Sequence, residues 1–262
     1  MKGSYQFENL ESRHIESTRL AERAQLRMES FPELLARHGF PVKGQVLEVG
    51  TAQGLRARIM ADLGAEVIGV DRSPELLVRA RELNRGVPNL SFVEGDLYDL
   101  PFADASFDFV YARLVFMHLA DPKLALANIR RVLRPGGRVL IEDADRDCMF
   151  FEPAPLTFAS FWQKVQDGQR RLGGDPNVGR RLAPYLKETG FSDVRPEVQS
   201  ILGGGGEIEF LASTLMPSLN IYLNPSDRAQ GEVAIRDLHA LARDPRSSFY
   251  HFWFAVSGGK HG

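Results

Sequence analysis

An apolar run, Gln45-Val46-Leu47-Glu48-Val49, leads directly into Gly50-Thr51-Ala52-Gln53-Gly54, and a second apolar run ends on Asp71, 21 residues after Gly50. Glycines at such a turn let backbone N–H groups approach a ligand at the start of the following helix. A carboxylate closing the next strand is placed to accept hydrogen bonds from both hydroxyls of a ribose. Turn, spacing and strand end together favour a nucleoside site over a plain strand-to-helix connection with a surface Asp. The dinucleotide fingerprint G-x-G-x-x-G would require glycines at 50, 52 and 55, where the chain has Gly50, Ala52 and Leu55. It offers instead an acid inside the first strand, Glu48, a Gly95-Asp96 pair after a third strand, and Arg134-Pro135-Gly136-Gly137 before a fifth.

The elements that must position these residues alternate. After the first strand comes a helical stretch, Leu55 to Leu63, then a strand, Glu66 to Val70. Ser73-Pro74 supplies an N-cap and a proline at the first helical position, opening a helix from Glu75 to Asn84. Strands at Leu90–Val93 and Phe107–Ala112 follow. Asp121-Pro122 opens another helix in the same way, and Arg138–Glu142 is a fifth strand. Strands alternating with helices imply right-handed βαβ units and a parallel sheet covered on both faces. Ligands of such sheets bind beyond the carboxyl ends of the strands. Residues 5–38 read as mostly helical. Past Asp147, a helix rich in Phe158, Phe161 and Trp162 is expected, then helices at about 178–189, 207–223 and 226–242, with strands at about 194–201 and 251–256.

With 262 residues, 44% hydrophobic and 25% charged, the chain has ample apolar material for a core, which excludes disorder as its main state. Lys+Arg 32 against Asp+Glu 34 gives a net charge of −2. The pI is about 6.3 and the mean hydropathy −0.21. That balance argues against nucleic acid as a partner. Cys148, the single cysteine, can form no internal disulfide, and no zinc-type cluster exists. The N-terminal residues show no apolar leader, and the longest uncharged stretch, Phe210 to Ser226, is interrupted by Pro217, Asn220 and Pro225. A cytoplasmic protein with no membrane contact is the expectation; the oligomeric state is not legible.

The set Val46-Leu47-Glu48-Val49-Gly50-Thr51-Ala52-Gln53-Gly54, Gly69-Val70-Asp71, Glu94-Gly95-Asp96, Phe107-Asp108-Phe109-Val110 and Leu133-Arg134-Pro135-Gly136-Gly137 resembles the class I S-adenosylmethionine-dependent methyltransferases. Tyr5, Glu16, Arg19-Leu20 and Gln25, with Gly174-Asp175-Pro176 and Gly179-Arg180-Arg181-Leu182, are similar to bacterial small-molecule members. Ala52 departs from the family's usual glycine. The resemblance implies a Rossmann-like, doubly wound α/β fold with a mostly parallel seven-stranded sheet whose last strand is antiparallel. It also implies an N-terminal helical lid (1–43), a cofactor-binding core (44–146) and a helical substrate-binding insert with C-terminal strands (147–262). Glu48, Gly50, Thr51 and Gly54 would surround the methionine part of S-adenosylmethionine. Asp71 would hold the ribose with Arg72 beside the adenine; Asp96 would accept from the adenine amino group with Leu97 against the ring. Arg113 and Leu114 would meet the amino-acid end, a role that a guanidinium's bidentate grip on carboxylate supports. Tyr5 and Gln25 would close over the cofactor as a lid.

Methyl transfer from a sulfonium requires an aligned nucleophile and, where needed, a base. The candidate is His118, whose unperturbed pKa suits proton transfer near neutrality; the alternative is a histidine that packs near Asp121. Asp143, just past strand five, could orient His118 or the substrate, or be a solvated strand end. Metal catalysis is not expected: Asp143-Ala144-Asp145-Arg146-Asp147 continues with Cys148 and Ala154 where a calcium loop needs Gly and Glu. Phe150, Phe158 and Trp162 are expected to line an acceptor pocket, alongside Phe151 and Phe161, or else to pack the insert onto the sheet. The function implied is methyl transfer to an O, N or C nucleophile of a small, metabolite-like or natural-product-like acceptor. The alternatives are a cyclase-like or binding protein on the same scaffold and a nucleotide-dependent oxidoreductase.

Overall fold

A computed structural model of the chain describes Ser4 and residues 30–261. Seven strands form one sheet in the order β3-β2-β1-β4-β5-β7-β6. They are β1 (Gln45–Val49), β2 (Glu66–Asp71), β3 (Leu90–Glu94), β4 (Phe107–Arg113), β5 (Leu133–Glu152), β6 (Ser192–Gly203) and β7 (Ser248–Gly259). β1 to β5 pair in parallel, and β7 runs antiparallel to both β5 and β6. The doubly wound sheet with an antiparallel last strand is thus present.

Local chemistry accounts for the helix starts. In α3 (Pro74–Leu83) the Ser73 hydroxyl accepts from Leu76 N at 3.3 Å, and in α4 (Pro122–Val132) Asp121 accepts from Leu124 N at 3.0 Å. Each cap precedes a proline, whose missing N–H costs nothing at that position. One face of the sheet, with Leu47, Val110 and Ile141, packs against α4 and α6 (Leu182–Glu188). The other, with Val46, Phe109, Tyr111 and Leu140, packs against α1 (Phe31–Arg37), α2 (Leu55–Asp62) and α3. Within the segment expected as a lid, α1 therefore belongs to the sheet's helical layer: Phe31, Leu34 and Leu35 are buried there.

β5 departs most from expectation. Its sequence suggests an end at Glu142, yet it continues to Glu152, and Met149 to Glu152 pair with Ser248 to His251 after an irregularity beyond Ala144. Strand pairing with β7 overrides the polar run at 143–147. The extension carries a second core, in which Met149, Phe151 and Phe249 meet α5 (Phe158–Arg171), α7 (Gly205–Phe210) and α8 (Arg228–Ala242). A π-helical turn, Leu211–Leu215, and a 3-10 turn, Leu219–Tyr222, join α7 to α8. Among the described residues no helix is long and apolar enough to cross a membrane.

α5 touches the 3-10 turn at Gly168, where an added Cβ would lie 1.7 Å from the Tyr222 carbonyl oxygen. Backbone against backbone cannot give way cheaply. Gly168→Ala is expected to lower unfolding free energy by about 2 to 3 kcal/mol, seen as a lower urea midpoint at unchanged slope. An unaltered midpoint would mean that this contact does not hold the insert together.

Candidate active site

A cavity of about 230 Å³ opens beyond the carboxyl ends of β1, β2 and β4 and is closed on its far side by residues 218–222. Glu48, at the end of β1, lines it from a buried position. Its carboxylate accepts from Thr51 Oγ1 at 2.6 Å and from Ala57 N at 3.0 Å. Burial nevertheless pushes its pKa up from 4.5 to about 7. Gly50 turns the chain with φ +68°, and its N–H donates to Val70 O at 2.8 Å. Ala52 also takes a left-handed conformation, φ +49°, although it carries a Cβ. Asp71 holds it: one carboxylate oxygen accepts from Ala52 N at 2.9 Å and the other from Ser73 N at 3.0 Å. Asp71 is also raised in pKa, mainly by burial. Thr51, Arg72, Asp96 and Leu97 complete this side.

Gly54 does not line the cavity. It starts α2 with φ +72°, and a Cβ there would sit 2.4 Å from the Phe92 ring. Its smallness serves the packing of helix on strand, one of the roles glycines play in such turns.

Arg113, at the end of β4, faces the cavity with its guanidinium 4.9 Å from the Trp253 ring. Burial, followed by the nearby charge of Arg56, brings its pKa down to about 10. Leu114 lines the same region in a left-handed conformation, φ +56°, its N–H donating to Glu142 O at 2.8 Å. A 3-10 turn, Phe116–His118, then presents His118 to the cavity. His118 Nδ1 lies 3.1 Å from Ser4 Oγ and 3.3 Å from Tyr222 Oη.

Asp143 neither lines the cavity nor is solvated. Fully buried, it accepts from Met117 N at 3.1 Å and Ala144 N at 2.9 Å, so it acts on the backbone next to His118. From the opposite side, Met117 O accepts from Gln169 Nε2 at 2.8 Å and Asp175 N at 3.0 Å.

The three aromatics expected around the acceptor are elsewhere. Phe150 is 47% exposed on the outer face of the sheet beside Tyr250 and Phe252. Phe158 and Trp162 stack on each other in the second core, with Trp162 Nε1 donating to Arg146 O at 2.7 Å. The far wall of the cavity is formed by Arg146, Leu219, Ile221 and Tyr222 instead. Nothing in the local sequence marks Tyr222, because it reaches His118 across 104 positions. Tyr5 and Gln25 lie outside the described residues. Among the described residues, no group of three or more His, Cys, Asp or Glu is placed to hold a metal.

Residues 47–141 match the family model described as a methyltransferase domain. The chain is 37% identical over 168 residues to a demethylmenaquinone methyltransferase of Renibacterium salmoninarum, covering 58% of this chain and 69% of that one. The chain belongs to the class I S-adenosylmethionine-dependent methyltransferases. A second relative of this methyltransferase, an O-methyltransferase of Aspergillus sclerotiorum, is 33% identical over 180 residues, 64% of each chain. The alignments span less than two thirds of the length of such fungal relatives. In fold it resembles the phosphoethanolamine N-methyltransferase 2 of Haemonchus contortus solved with S-adenosyl-L-methionine, at TM-score 0.58 and 23% identity. That alignment covers 90% of this chain and 53% of the other.

The residues present fit the family's cofactor, S-adenosylmethionine. Its ribose hydroxyls and amino groups are hydrogen-bond donors, and the sheet side of the cavity offers the carboxylates of Asp71, Asp96 and Glu48 as acceptors. Arg113, which lines the same cavity, offers a guanidinium of the kind that pairs with a carboxylate such as the cofactor's.

The raised pKa of Glu48 fixes the sign of a pH effect. Folding favours its protonated form, so the cost of ionising it is absent below about pH 4.5, grows from there to about 7, and is complete above. In the ligand-free protein at pH 8, Glu48→Gln is expected to raise unfolding free energy by on the order of 3 kcal/mol, with the gain vanishing toward pH 4.5. Urea titrations at the two pH values check this; a pH-independent gap would contradict it.

Proposed function

We propose that this methyltransferase methylates a hydroxyl oxygen of a small molecule, with His118 accepting the hydroxyl proton. The observation that carries the reading is His118 itself, facing the cavity with Nδ1 between two hydroxyls. With Nδ1–H donating to Ser4 Oγ or Tyr222 Oη, the lone pair of the neutral ring is on Nε2, the state a base requires. The name of the fungal O-methyltransferase relative supports oxygen as the nucleophile. The near-neutral charge of the chain agrees with a small acceptor.

Bound S-adenosylmethionine supplies a methyl group already activated as a sulfonium. The protein's part is to grip, align and deprotonate. Asp71 accepts from the ribose hydroxyls, Asp96 from the adenine amino group, with Arg72 and Leu97 beside the ring. Glu48, Gly50 and Thr51 surround the methionine part, and Arg113 takes its carboxylate next to Leu114. The acceptor oxygen receives the methyl group, and His118 Nε2 takes the proton that the hydroxyl gives up. Asp143, Gln169 and Asp175 act one step back as positioning residues, since they fix the Met117 peptide that carries His118. Phe150, Phe158 and Trp162 are not part of the acceptor wall in this reading.

A labelled-methyl assay across a metabolite extract, with mass spectrometry of the product, tests the reaction. His118→Ala is expected to keep cofactor affinity while kcat falls by roughly 10²- to 10⁴-fold. Asp71→Asn is expected to weaken cofactor binding by about tenfold or more, because hydrogen bonds to an ionised acceptor are lost. Product formation by His118→Ala at the parental rate would remove the histidine from the mechanism. Cofactor binding with no transfer to any acceptor would favour the cyclase-like or binding alternative.

A further inference from the structure

A second cavity, of about 260 Å³, lies in the insert. It sits on the face of β7 that carries Phe249, His251 and Trp253, alternate residues of one strand. Ile201, Phe210, Leu211, Leu215, Phe249 and Trp253 give it an apolar lining. The carboxylate among its lining residues, Glu207, is at an exposed position and accepts from Gly204 N at 2.9 Å. Apolar cavities of about 150 Å³ already take up benzene. One of this size has room for a longer hydrocarbon.

Two observations join it to the cavity at the strand ends. Trp253 lines the second cavity and Arg113 the first, with the guanidinium 4.9 Å from the indole ring. That pair is the partition between them, and Trp253 is also held by His251, whose Nδ1 accepts from its Nε1 at 2.8 Å. The roof is common to both as well. Leu211, Thr214 and Leu215, from the π-helical turn, line the second cavity; Ser218, Leu219, Ile221 and Tyr222 line the first. Leu215 and Ser218 are three positions apart across the helical turn Met216–Ser218, a spacing that makes side chains neighbours at about 5–6 Å. The two cavities are thus adjacent under one segment, and π-helical turns of the kind that begins it recur at functional sites.

Resting on the methyl-transfer reading above, we propose that the acceptor carries an uncharged apolar tail, which the second cavity holds while the hydroxyl is at His118. The size of the first cavity argues for this. Pockets for drug-sized ligands run from about 300 to 1,000 Å³. The first cavity, at about 230 Å³, has the cofactor to hold as well. Room for the body of an acceptor is next door, past Trp253. The lining then decides the chemistry of the tail. Apolar side chains reward the burial of hydrocarbon, and the Glu207 carboxylate disfavours an anionic group.

The test is calorimetry on the full chain saturated with S-adenosylhomocysteine, using phenol, 4-butylphenol, 4-hexylphenol and hexylbenzene as probes. Each buried methylene is expected to tighten binding about three- to fourfold, so 4-hexylphenol should bind at least about tenfold more tightly than phenol. Thr214→Trp, which fills the cavity from its lining, is expected to remove most of that gain. Thr214→Phe fills less of it and serves if the tryptophan variant does not fold. With the hydroxyl at His118, 4-hexylphenol is also expected to bind more tightly than hexylbenzene. Equal binding of hexylbenzene would make the cavity a separate apolar site and overturn the proposal. A flat series in the parent protein, or the full series surviving in both Thr214 variants, would overturn it too. S-adenosylhomocysteine affinity, measured on the same samples, separates the two readings. Its absence in the parent protein would remove methyl transfer and the tail subsite together, whereas a flat series with it bound removes the tail subsite alone.

Discussion

One peptide, that of Met117, ties the sheet to the insert, and a carboxylate with no solvent exposure holds it. Asp143 could not stay buried without donors, and the N–H groups of Met117 and Ala144 supply them. The Met117 carbonyl turns the other way and is taken by Gln169 of α5 and by the Asp175 amide. A strand end, the turn that carries His118 and an insert helix thus meet within one residue. His118 follows directly, and its carbonyl accepts from Ser4 N at 2.9 Å. The position of the proposed base is therefore set by hydrogen bonds to the backbone on both sides of it, not by contacts of its own ring alone.

The sheet side of the cavity obeys a different constraint, that of charge. Parallel strands ending together bring Glu48 and Asp71 into one small volume, and burial raises both pKa values. A cation bound beside them would favour their ionised forms, so ligand charge and carboxyl ionisation are coupled. Local strain lies in the same place. Ala52 and Leu114 both adopt left-handed backbone without being glycine, a conformation that costs on the order of 1–3 kcal/mol unless its surroundings impose it. Asp71 imposes it on Ala52, and the Glu142 carbonyl on Leu114. The alanine at the family's usual glycine position is accommodated by a carboxylate that also lines the cavity.

What the sequence made legible is what short-range physics determines. The ends of β1 and β2, the caps at Ser73 and Asp121, and the turn after Glu48 depend on neighbours a few residues apart, and all of them are present. Gly54 was legible as a special glycine but not in its role, because the Phe92 ring that demands it comes from β3. The aromatic stretch around Phe158 and Trp162 misled for a related reason. Large apolar residues at helical spacing look alike whether they border a ligand or fill a core, and here the extension of β5 supplies a core for them to fill. That extension was itself hidden by the charges at 143–147, whose carboxylates are satisfied by Arg180, Asn177 and the Met117 amide. Tyr222 and Arg146 become site residues only through tertiary contacts.

The two walls of the cavity come from different parts of the chain. Glu48, Asp71, Asp96 and Arg113 all lie within the stretch that matches the methyltransferase domain, 47–141. Arg146, Leu219, Ile221 and Tyr222 lie beyond it. They are carried by a segment with its own hydrophobic core, separate from the two faces of the sheet. Substitutions in that second core can reshape the far wall of the cavity while the carboxylates at the strand ends stay where the sheet register puts them. A shared fold therefore says little about the acceptor; its chemistry has to be read from the insert wall.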